Sequence, residues 1–83
     1  MLLPQEIEGW IRAGLECELL AVEGDGRHFE ALVVSKAFEG LSRVQRQQCV
    51  NAVLREHFES EALHALSMQC LTHAEAKERG LLG

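Results

Sequence analysis

Gly24-Asp25-Gly26-Arg27-His28-Phe29-Glu30-Ala31-Leu32-Val33-Val34-Ser35 is the stretch that decides the fold. Gly24-Asp25-Gly26 is a strong turn signal, because glycine and aspartate tolerate left-handed backbone angles. After it, His28–Ser35 alternates, with Phe29, Ala31 and Val33 on one side and His28, Glu30, Leu32 and Val34 on the other. Before it, Cys17–Glu23 alternates too, with Leu20 and Val22 set against Leu19 and Ala21. Two alternating runs about a short glycine-rich connection read as an antiparallel hairpin.

Outward from the hairpin the period changes to that of a helix. On the N-terminal side Ile7, Trp10, Ile11 and Leu15 recur at helical spacing. Pro4 suits the first turn, where its missing N–H leaves nothing unpaired, and Gly14 suits the stop, which gives a helix over 4–13. On the C-terminal side Phe38-Glu39-Gly40-Leu41 reads as a turn and Ser42 as an N-cap. Val50, Val53, Leu54 and Phe58 then fall on one face of a helix expected to run from Arg43 to Phe58, with Val44 off that stripe. Leu63–Leu71 reads as a third strand and Ala74–Arg79 as a short closing helix.

The order α-β-β-α-β-α predicts one α+β domain over 1–83, with helices packed on one face of a three-stranded mixed sheet. The second strand, the long helix and the third strand form a βαβ unit, so those strands should run parallel with a right-handed crossover. Their starts then share one end of the sheet. His28 begins the second strand and His64 the third, so topology brings the two histidines together.

Composition bounds the rest. The chain has 83 residues, 47% apolar and 25% charged, which is one small globular domain with no room for a deep substrate cavity. Its net charge of −5 disfavours binding to phosphate backbones through an overall field. Cys17, Cys49 and Cys70 form no C-x-x-C pair and no secretory pattern precedes them, so a reducing, cytoplasmic compartment is expected, with the thiols as small hydrophobes. No apolar run approaches the roughly 20 residues needed to cross a bilayer. The Walker, G-x-S-x-G, H-E-x-x-H and dinucleotide signatures are all missing, which argues against an enzyme.

Neutral imidazole is a good ligand for borderline metals and replaces thiolate on an iron of some [2Fe-2S] centres. Two ligands are too few for a closed tetrahedral zinc site, so His28 and His64 make sense as half a site completed by another molecule. Spacing alone favours the plainer reading of two strand-end residues with no ligand. His57, near the end of the long helix, and His73, before the last one, read as structural. Lys36, Arg43 and Arg46 flank the Phe38–Gly40 turn as a candidate patch for a partner or nucleic acid, or simply as a solvated helix face.

Val33-Val34-Ser35-x-x-Phe38-Glu39-Gly40-x-Ser42-Arg43-Val44-x-Arg46, followed later by His64-Ala65-Leu66-Ser67, resembles the signature of the BolA family. Gly24-Asp25-Gly26-x-His28-Phe29 is similar to its IbaG-type branch, and the resemblance covers nearly the whole chain. It implies a class II KH-like fold and a partnership with a monothiol glutaredoxin, in which a [2Fe-2S] cluster is shared. In that arrangement the glutaredoxin supplies a cysteine, glutathione a thiol, and the BolA chain two residues that fall on His64 and His28. The isolated chain, a monomer or weak homodimer, is not expected to hold the cluster tightly. The resemblance also carries an alternative, a DNA-binding transcriptional regulator. Thr72-His73-Ala74-Glu75-Ala76 departs from the Thr-Pro-Glu-Glu-Trp-like stretch of many relatives, which puts the packing of the last helix in question.

Overall fold

Strand β1 (Leu19–Gly24) and strand β2 (His28–Val34) form the expected antiparallel hairpin, with Leu20 opposite Val33 and Gly24 opposite Phe29. The structure, a computed structural model, describes residues 1–82. Helix α1 (Pro4–Gly14) precedes the hairpin, and a single 3-10 turn (Lys36–Phe38) follows it. Then come α2 (Arg43–Val53), α3 (Arg55–Glu59), β3 (Ala65–Leu71) and α4 (His73–Glu78). β3 lies beside β2 and parallel to it, so the sheet order is β1-β2-β3 and the sheet is mixed, as the βαβ reading requires.

Alternation along the strands sorts the core. Leu20, Phe29, Ala31 and Val33 are buried and meet Ile7 and Ile11 of α1, Val50 of α2, and Phe38, Leu54 and Leu63 from the connections. Fully burying a side chain of this size contributes roughly 1.5–3 kcal/mol, so these positions carry most of the driving force. Trp10 and Phe58 pack against the same cluster from its rim. Val44 is 63% exposed, off the helical stripe as its position suggested.

Three boundaries differ from expectation. The long helix is broken at Leu54, whose backbone (φ −97, ψ 3) leaves the helical basin before α3 begins. Neither proline nor glycine marks the break; Leu54 is itself wholly buried, and the same apolar stripe continues across it to Phe58. β3 starts at Ala65 rather than Leu63. Glu61 adopts a left-handed φ of 62, and the Leu63 N–H donates to the His57 carbonyl, so Leu63 belongs to the turn that plugs the core. β1 likewise starts at Leu19, leaving Cys17 in the approach to the strand.

The expectation of helices on one face holds for α1, α2 and α3. α4 departs from it. Val34 and Leu71, paired across the sheet, are buried on the opposite face with Ala76 of α4, and Leu19, Leu32 and Leu82 pack beside them. The chain enters α4 directly from β3 through Thr72, so the short helix is set to cover this second apolar row. Its start is firmly capped despite the missing proline. The Thr72 side chain accepts from Glu75 N at 3.1 Å, and the Glu75 carboxylate accepts from Thr72 N at 2.8 Å.

Candidate functional site

The hairpin turn is built to deliver His28. The Asp25 carboxylate accepts from the backbone N–H groups of His28 (2.9 Å) and Arg27 (3.0 Å). Those donations hold its pKa below the usual carboxylate value. Gly26 has a φ of +104, which few other residues adopt without strain. Gly24 must be glycine for a different reason: a Cβ there would sit 2.4 Å from the His28 carbonyl oxygen and 2.5 Å from the Phe29 ring. The turn therefore packs directly against the start of β2.

His64 is delivered by a different device. Leu63, 1% exposed, is anchored in the core, and the next residue emerges into solvent just before Ala65 opens β3. His28 pairs with Ala65 in the parallel register, so His64 lies one position from it on the neighbouring strand. With strands about 4.8 Å apart and a rise of about 3.3 Å per residue, the two Cα atoms are about 6 Å apart. Both imidazoles are exposed, and neither makes a hydrogen bond among the described residues. The two free imidazoles thus stand at one rim of the sheet. Among the described residues no group of three or more His, Cys, Asp or Glu side chains converges on a metal position. A shallow concavity of about 570 Å³ beside the turn is lined by His28 with Glu23, Asp25, Glu30 and Ser67. His64 lies outside it. The rim is acidic and favours a cationic partner surface.

The other two histidines have other surroundings. The His57 ring stacks on Trp10 with centroids 3.6 Å apart and planes within 7°. This contact fastens α3 to α1, and no sequence signal joins positions 10 and 57. His73 opens α4, where its Nδ1 is buried with no hydrogen-bond partner among the described residues.

The cationic patch of Lys36, Arg43 and Arg46 does not survive as a set. Lys36 and Arg43 are exposed, but the Arg46 side chain is only 12% exposed and is used internally. Its Nε donates to the Leu41 carbonyl at 3.0 Å, and its Nη1 to the Cys70 carbonyl at 3.1 Å and to the Glu75 carboxylate at 2.6 Å. One guanidinium thus joins the loop before α2, the edge of β3 and the start of α4. The Thr72 N–H and this guanidinium hold the Glu75 carboxyl down to about 2. A planar group with five donors suits such a junction. The three cysteines are half-buried against the main core. Burial pushes the Cys17 thiol up and the Cys70 thiol to about 11, so neither is a ready thiolate.

A three-stranded mixed sheet, a glycine-rich hairpin and an exposed His-Ala-Leu strand start define a class, and comparison with known proteins gives it a name. The model of the BolA-like protein family matches residues 12–75, and the chain belongs to that family. Within it the chain is IbaG-like: it is 38% identical over 79 residues to the acid stress protein IbaG of Escherichia coli K12, covering 94% of each chain. Among solved structures, a bolA protein homologue from Coxiella burnetii superimposes with a TM-score of 0.84 at 37% identity, covering 93% of this chain and 99% of that one. A bol-like protein from Babesia bovis gives 0.83 at 30% identity, covering 96% and 95%. No helix among the described residues is long and apolar enough to cross a membrane.

Proposed function

We propose that this chain is a non-enzymatic, cytoplasmic partner of a monothiol glutaredoxin, and that it shares a [2Fe-2S] cluster with it for iron–sulfur assembly, trafficking or iron signalling. The observation that carries this reading is the rim pair. The His28 and His64 imidazoles are exposed, make no hydrogen bond among the described residues and stand one register position apart at the starts of parallel strands. Two imidazoles carried on neighbouring backbone positions would serve one iron, as in centres where two histidines replace two thiolates. The glutaredoxin cysteine and the glutathione thiol would complete the shell. Membership of the BolA-like family supports the partner assignment. The chain's own contribution is positional: Asp25 fixes the backbone at His28, and Leu63 fixes the one at His64.

The alternative, a DNA-binding transcriptional regulator using Lys36, Arg43 and Arg46, has less support. Arg46 is committed to the interior, and the net charge is −5. Titration with DNA at two salt concentrations separates the readings, since a phosphate-driven complex weakens steeply as salt rises.

The test is reconstitution. Mixed with a monothiol glutaredoxin, glutathione, iron and sulfide, the wild-type chain should form a heterocomplex whose visible circular dichroism differs from that of the glutaredoxin alone. His64→Ala should abolish that spectrum and His28→Ala should weaken or alter it. Identical spectra from wild type and both variants would refute the ligand assignment.

A further inference from the structure

We propose that the outer edge of β3, along Leu66 and Met68, is a docking groove for an extended acidic peptide segment of another protein. β3 is an edge strand, since among the described residues β2 alone flanks it. The Leu71 carbonyl turns inward and accepts from Ser35 N at 3.0 Å, whereas the Cys70 carbonyl is met from outside by Arg46. Successive strand residues direct their backbone groups to opposite sides, so Leu66 and Met68 present theirs outward with Cys70. Among the described residues nothing pairs with them. An open strand edge of this kind is a template for a further strand.

Beside that edge, between α2 and β3, lies a cleft of about 140 Å³ bounded by Arg43, Arg46, Gln47, Met68 and Arg79. Glu75 also borders it, but its carboxylate is taken by Arg46. Arg43 and Arg79 are exposed and have no carboxylate within ion-pair distance among the described residues. The cleft is therefore locally cationic on a chain whose net charge is −5.

A ligand for this groove needs backbone donors and acceptors for Leu66 and Met68, and anionic groups for Arg43 and Arg79. An extended peptide with Asp or Glu at alternate positions supplies both. A nucleic acid supplies the anions but no regular row of alternating donors and acceptors along its backbone. Its backbone phosphates offer acceptors alone, and Trp10, the ring best suited to base stacking, is engaged with His57. A second copy of this chain pairing β3 to β3 would set the same arginines against one another.

The probe is a short fluorescent peptide of alternating Thr and Glu, titrated into the full chain without glutaredoxin. Anisotropy should show saturable binding, and the Leu66 and Met68 amide resonances should shift. Arg43→Glu combined with Arg79→Glu should weaken binding about tenfold. Circular dichroism should show that this double variant still folds, because both side chains are exposed. The Gln counterpart of the peptide should bind far more weakly, and His64→Ala should bind the acidic peptide as wild type does. No binding at about 1 mM peptide, equal binding by the charge-reversed variant, or shifts confined to the histidine rim would overturn the proposal. So would a single-stranded oligonucleotide that shifts the same amides at lower concentration than the peptide.

Discussion

The two ends of β3 are built on opposite terms. At its start, His64 is exposed, its imidazole makes no hydrogen bond among the described residues, and the buried Leu63 before it anchors the chain. At its finish, Cys70 and Leu71 lead into a closed junction where Arg46, Thr72 and Glu75 satisfy one another. One end offers unspent bonding capacity and the other has spent it. The difference separates residues that a partner can use from residues that the fold has already used.

The sharpest way to break this contrast is to strip each end in turn. Arg46→Ala removes three hydrogen bonds at a largely buried site, and urea unfolding should show a loss of about 2–3 kcal/mol. His64→Ala and His28→Ala, at the opposite end, should change stability by less than about 0.5 kcal/mol. If Arg46→Ala proves as mild as the histidine variants, the junction is not what closes that end.

Acid sharpens the same comparison. The Glu75 carboxyl is held down to about 2 in the folded chain, chiefly by the Thr72 N–H and then by Arg46. A carboxylate depressed by folding stabilises fully above its unfolded pKa of about 4.3 and loses that contribution as pH falls through the folded value. The urea midpoint should therefore be steady above about pH 5 and decline toward pH 2, and Glu75→Gln should flatten the decline. Thr72→Ala removes the reciprocal half of the cap and should cost about 1 kcal/mol by the same assay. His57→Ala, which unstacks Trp10, should cost about 0.5–1 kcal/mol and alter Trp10 fluorescence.

The hairpin, the parallel crossover and the main core were legible because each rests on a period. Phe29, Ala31 and Val33 alternate, and Ile7 and Ile11 recur at helical spacing. The meeting of His28 and His64 was legible because a topological rule, not a local pattern, joins strand starts. What stayed hidden depends on tertiary contact. Leu54 breaks its helix with no proline or glycine to announce it. Arg46 looks like any exposed helix cation until Cys70 and Glu75 arrive beside it. The stack of Trp10 on His57 joins residues that no spacing relates. The second-face position of α4 had a signal that was available: Val34 and Leu71 are apolar on the side opposite Val33 and Cys70, and such a row needs a cover.

The most direct measurement is pulsed electron paramagnetic resonance on the reduced [2Fe-2S] heterocomplex, with only this chain's histidines labelled with nitrogen-15. Coupling from two imidazole nitrogens, reduced to one in His28→Ala and lost in the His28→Ala/His64→Ala double variant, is the predicted result. A complex that assembles normally but shows no coupling to the labelled nitrogens would contradict it.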